Sequence, residues 1–152
     1  MRLLWVTLIL FSFLPAQNYT FMLDTYTKET ELEATIIKRV ASASLPQEEI
    51  RLFIPEISEL EQKVYQKFFI LSSNCEDANF VFVKKSVDIS SYCKDTKKLI
   101  LTSNYRKLLS YEKYYGAFFW QKSRPNITFI SQRLQERGVK LPSEFDKFVE
   151  DF

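Results

Sequence analysis

The chain has 152 residues, 46% hydrophobic and 26% charged, the balance of one folded domain and not of a disordered chain. Lys and Arg number 21 against 19 Asp and Glu, a net charge of +2, which gives no reason to expect nucleic acid or an anionic membrane surface as partner. With no His and only two Gly, Ser-His-Asp and Cys-His catalysis, His metal ligands and Gly-rich phosphate loops are excluded.

Residues 1–16 read as a cleavable secretory signal peptide. Arg2 precedes a mainly apolar run from Leu3 to Leu14 that stops at Pro15, too short for a spanning helix of about 20 residues. Ala16 suits the position before a cut, Leu14 is large for the third position before it, and cleavage after Gln17 is a second option. An uncleaved N-terminal anchor is the alternative. Export places the chain in the periplasm, with membrane contact only through an uncleaved signal.

Residues 17–28 read as a polar, aromatic lead-in, and 29–152 as a single α/β domain. A helix is predicted from Glu29, with Leu32, Ile36, Ile37, Val40 and Ala41 as its apolar stripe and Pro46 as its bound. Ile50–Ile54 predicts a strand ended by Pro55. Ile57, Leu60, Val64 and Phe68 recur at helical spacing, and Phe69–Leu71 predicts a short strand. Asn79–Val83 and Lys98–Thr102 are further strands, with a helical turn over Tyr105–Leu109. Ala117–Gln121 and Asn126–Ile130 predict a hairpin joined by Lys122-Ser123-Arg124-Pro125. Ser131 is expected to cap a short helix ending at Gly138. A last helix opens at Pro142, with Ser143 and Asp146 as an approximate capping box. The fold class is therefore α/β: a single layered domain with a mixed, largely parallel sheet, a C-terminal hairpin and helices.

Cys75 and Cys93 precede two predicted strands by four and five residues. If those strands are parallel neighbours, both cysteines lie at one sheet edge, and export would preserve a bond between them; two free thiols are the alternative. In Gly116–Asn126, alternation puts Phe118 and Trp120 on one face and Phe119 and Gln121 on the other. Trp120, Lys122 and Arg124 are the candidate partner or ligand contacts, with Arg124 a bidentate donor to an anion, against a buried aromatic strand with a solvated basic turn. Tyr92, Tyr105, Tyr111, Tyr114 and Tyr115 read as core packing with hydroxyls at the rim, with a recognition surface as the alternative. Lys84, Lys85, Lys94, Lys97 and Lys98 read as a solvated basic face. Asn18-Tyr-Thr and Asn126-Ile-Thr are glycosylation sequons only in a eukaryotic source. No catalytic residue, metal site or cofactor is expected.

The order of elements from Glu31-Leu-Glu-Ala-Thr-Ile-Ile-Lys-Arg-Val, through Asn79-Phe-Val-Phe-Val and Leu99-Ile-Leu-Thr-Ser, to Asn126-Ile-Thr-Phe-Ile and the helix ending at Gly138 resembles the YfiR-like family of periplasmic proteins. Ile130 stands where that family tends to close its strand with Asn, and the hairpin is shorter, so no contact residue is carried over. The resemblance implies a non-enzymatic periplasmic regulator that binds and restrains the sensor region of a membrane diguanylate cyclase. A small periplasmic solute-binding module associated with a transporter is the other reading. A homo-oligomer is compatible with both.

Overall fold

The computed structural model describes residues 16–152 except Lys85 and Thr96. Residues 1–15, which carry the signal-peptide reading, lie outside the described residues. The strands are β1 (Arg51–Phe53), β2 (Ile70–Leu71), β3 (Phe80–Val83), β4 (Leu99–Thr102), β5 (Gly116–Gln121), β6 (Arg124–Ile130) and β7 (Val149–Glu150). The helices are α1 (Ala16–Ser44), α2 (Glu59–Tyr65), α3 (Tyr105–Ser110) and α4 (Ser131–Glu136), with short 3-10 helices at Ile89–Ser91 and Ser143–Phe148.

The strands form one sheet in the order β2-β1-β3-β4-β5-β6-β7. All neighbours are parallel except the β5–β6 hairpin. The α/β class with a mixed, largely parallel sheet is thus the observed one. Every residue of β3 and β4 is buried, as continuous apolar runs require in strands covered on both faces. Side chains alternate between two cores. Leu52, Phe80, Phe82, Leu99, Leu101 and Phe118 face the core built with α1, Tyr65 and Phe145. Phe53, Val81, Val83, Ile100 and Ala117 face the core built with Ile89, Leu108 and the two cysteines.

α1 departs most from expectation. It begins at Ala16 and runs for 29 residues, so 17–28 continues the helix where a lead-in is predicted. Its buried face is also rotated. Thr30, Glu33, Ala34, Ile37, Val40, Ala41 and Ser44 are buried, whereas Leu32 is 44% exposed. The cause is polar: Glu33 and Ser44 have partners inside the protein, so a hydropathy stripe places the face wrongly. Tyr115 has its hydroxyl fully buried against Ser44, at 2.9 Å, not at the rim.

The hairpin turn is tighter than predicted. Only Lys122 and Ser123 form it, both left-handed at φ 49° and 60°, the geometry whose twist matches paired strands. Arg124 and Pro125 already belong to β6, opposite Gln121 and Trp120. Beyond the closing pair Gln121–Arg124, Pro125 turns its missing N–H to the outer edge, where β7 pairs only with Phe129 and Ile130.

Two predicted caps do not form. Ser131 is the first residue of α4, and Ile130 stands at the cap without a side-chain bond. Ser143 likewise lies inside the terminal 3-10 helix, where Pro142 precedes it and no side-chain cap is made. Gly138 does take the left-handed conformation after α4, at φ 64°.

Cys75 and Cys93 are joined, with Cα atoms 5.4 Å apart, at the amino ends of the parallel neighbours β3 and β4. Lys98 pins the same end of the sheet. Its ammonium donates to the carbonyls of Cys75, Glu76 and Ala78.

Candidate functional site

In an open parallel sheet, ligands collect at the carboxyl ends of strands where successive connections leave on opposite faces. Here that reversal falls between β1 and β3. The chain leaves β1 into α2, whose Tyr65 joins one core, and leaves β3 toward Ile89, which joins the other. A crevice of about 620 Å³ opens at this point, within the range of small-molecule sites. Pro55, Glu56 and Ser58 after β1, Lys84 and Ser86 after β3, and Ser103 after β4 form its floor and one side. Tyr26, Glu29 and Glu33 of α1 and the aromatics Phe119 and Trp120 of β5 close the other.

A buried polar cluster forms its base. The Lys84 ammonium lies 2.8 Å from Glu33 Oε1 and 2.5 Å from Glu61 Oε1. The three side chains are only 20%, 8% and 12% exposed. The Tyr65 hydroxyl donates to Glu33 at 2.7 Å. Ser58 starts α2 as a reciprocal cap: Glu61 N–H donates to its hydroxyl, and its own N–H and hydroxyl donate to Glu61 Oε2. Lys84 also lies over the rings of Tyr65 and Phe82, at 5.9 and 6.0 Å.

The protonation states follow from this packing. Burial alone would raise the Glu61 carboxyl, but the bond and charge of Lys84 and the two Ser58 bonds overrule it and hold it down at about 2. Burial would lower Lys84, yet the two carboxylates raise it. Tyr65 is pushed far up by burial and by the charge of Glu33, and Tyr26 is raised by burial and by Glu61. At neutral pH Lys84 is therefore an ammonium held against an ionised Glu61.

Glu56, at the lip, is in the left-handed region at φ 57°, a conformation that a residue with a Cβ holds only under constraint. The Tyr92 hydroxyl, beside the disulfide at Cys93, donates to Glu56 Oε1 at 2.6 Å and fixes its carboxylate at the rim.

Of the predicted contacts, Trp120 lines the crevice, 37% exposed and edge-on to Phe118 at 5.8 Å. Lys122 and Arg124 sit further out at the exposed hairpin tip and do not line it. The solvated basic face is corrected in part: Lys84 is buried between carboxylates and Lys98 is half-buried among carbonyls, Lys94 and Lys97 are exposed, and Lys85 lies outside the described residues. Sequence reasoning missed Glu33, Glu61, Tyr65 and Glu56. One signal was available for Glu61, the Ser-x-x-Glu spacing of Ser58 and Glu61 that marks a helix start. Among the described residues no group of three His, Cys, Asp or Glu side chains is placed to hold a metal. Among them no helix is long and apolar enough to cross a membrane.

Fold and crevice together define an α/β sheet domain with an acidic, aromatic-walled cleft at its switch point. No protein-family model matches the chain, and a search of curated proteins gives no match. Among solved structures the chain is similar to the ABC domain in complex with L-Trp from Streptococcus pneumonia, at a TM-score of 0.56 and 11% identity. The match covers 75% of this chain and 59% of that one, so this chain spans well under two thirds of its neighbour. At that identity the likeness establishes a shared fold.

Proposed function

We propose that this chain is a non-enzymatic binding module of the periplasm that takes a small molecule in the crevice at the carboxyl ends of β1, β3, β4 and β5. The observation that carries the reading is the crevice itself: its position at the switch point, its volume and its mix of rings and oriented polar groups. The Cys75–Cys93 bond supports an oxidising compartment, and the apolar run before Pro15 supports export. The neighbour in complex with L-Trp has a similar fold. Thermal shifts against a metabolite panel test the proposal, because a ligand of the folded state raises the melting temperature. A panel that spans cationic, neutral and anionic solutes and leaves the melt and the crevice amides unmoved would refute it.

A regulatory reading stands second, favoured by one feature of α1. Its amino-terminal half leaves Met22, Leu23 and Tyr26 exposed, at 70%, 39% and 42%, a helix face available to another protein. A membrane diguanylate cyclase bound there would be the partner that the YfiR-like resemblance implies. Pull-down from envelope extracts tests this reading; recovery of no membrane protein counts against it.

A further inference from the structure

Resting on the crevice as the binding site, we infer its ligand class: an organic cation, a protonated amine or quaternary ammonium on an apolar or aromatic body. An anion needs free donors, and the ammonium and the turn amides at the base of the crevice are engaged. Lys84 is held by two carboxylates. The α2 amino end is closed by its own Ser58 and Glu61. The Val87 N–H donates to the Lys84 carbonyl and the Ser103 N–H to the Val83 carbonyl, so these turns present no nest of amides.

Acceptors and negative charge remain. Four carboxylates, Glu29, Glu33, Glu56 and Glu61, line the crevice against the single ammonium of Lys84 among the described residues. Glu33 and Glu61 are spent on that ammonium. Glu56 is aimed at the rim by a strained backbone and by Tyr92, and Glu29 has no ion-pair partner among the described residues. The walls are Trp120 and Tyr26, both partly exposed, with Phe119 beside Trp120. Aromatic faces attract cations through their ring quadrupole, and carboxylates at the mouth add charge complementarity. Arg124, the residue suited to an anion, lies outside the lining.

The test uses benzyltrimethylammonium as probe, with benzoate and benzyl alcohol as anionic and neutral controls of similar shape. Binding is read by calorimetry and by amide shifts in the isotope-labelled protein with its disulfide intact. A probe of this size is expected to bind with a Kd on the order of 1 mM and to shift the amides of Glu56, Lys84 and Trp120. Benzoate should bind at least about tenfold more weakly. Glu29→Gln, Glu56→Gln and Trp120→Leu should each weaken the cation by roughly three- to fivefold, while Lys122→Gln leaves it unchanged. The inference is overturned if benzoate or benzyl alcohol matches the cation in the crevice, if the three variants bind it as the parent does, or if the cation shifts no crevice amide. A neutral or anionic metabolite that seats in the crevice would refute the cation class and leave the binding-module reading standing. Silence of the crevice to the whole metabolite panel would refute both.

Discussion

Replacing Lys84 by Met removes the ammonium at the base of the crevice and keeps most of its apolar stem. Glu33 and Glu61, at 8% and 12% side-chain exposure, are then buried carboxylates without a counter-charge. Breaking a buried ion pair from one side costs roughly 3–5 kcal/mol. The Glu61 carboxyl is held down at about 2 by Lys84 together with the two Ser58 bonds, and only the Lys84 share is lost here. A loss of about 3–5 kcal/mol at pH 7 is expected in urea unfolding followed by far-ultraviolet circular dichroism. The sign of the pH dependence separates this cause from a simple packing defect. In the parent, Glu61 is depressed, so its contribution is present above about pH 4.5 and is lost as pH falls toward 2. In Lys84→Met, burial without a cation raises the Glu61 carboxyl. A raised acid penalises the folded state most at high pH, so the deficit relative to the parent should shrink from pH 7 to pH 5. A deficit below about 1 kcal/mol, or one equal at both pH values, would refute the reasoning. Adding Glu33→Gln and Glu61→Gln to Lys84→Met should recover part of the loss at pH 7, because the uncompensated charges are gone.

Removing the disulfide in Cys75→Ser/Cys93→Ser opens a loop of sequence separation 18 and should lower stability by about 3 kcal/mol, read in the same urea titration against the parent with and without reductant. Gly116→Ala would set a Cβ 2.6 Å from Phe129 Cδ1 and 3.0 Å from the Thr128 carbonyl, so a loss of about 2 kcal/mol or more is expected in thermal melts. Gly138→Ala meets nothing within 4 Å but must hold φ +64°, and a smaller loss of about 1 kcal/mol should result. Ser44→Ala leaves the buried Tyr115 hydroxyl without its 2.9 Å partner, for an expected loss of about 1–3 kcal/mol, while Tyr115→Phe/Ser44→Ala should lose less than the Ser44 change alone.

The legible parts of the fold are those with a one-to-one link between residue type and environment. Phe80–Val83 and Leu99–Thr102 are apolar along their length because both faces are covered, and they read as strands at once. Gly138 marks a helix end because a left-handed residue is needed there. The spacing of Cys75 and Cys93 before two strands places both at one edge once those strands are parallel neighbours. Ser131 and Ser143 suit a cap in composition, yet the chain enters each helix one residue earlier. Type alone does not fix register. β7 is two residues long and carries no pattern that a short strand could be read from.

The site itself was hidden because its residues look like surface when taken singly. Glu33, Glu61 and Lys84 are separated by more than twenty positions at each step, and each sits amid other charged residues. Only the fold brings them within hydrogen-bonding distance. One of them, Glu33, also bears on the misplaced face of α1: a helix whose buried side must carry Thr30, Glu33 and Ser44 cannot be oriented by hydropathy. The buried Glu33–Lys84–Glu61 cluster and the crevice are thus one feature. Lys84 spends its donors on Glu33 and Glu61 at the base, which leaves Glu29 and Glu56 as the unspent carboxylates of the lining. Trp120 lines the crevice, whereas Lys122 and Arg124, grouped with it from the sequence, do not. The register that puts Trp120 opposite Pro125 and Arg124 opposite Gln121 carries the guanidinium to the hairpin tip, and the indole is left in a lining that also holds Glu29 and Glu56.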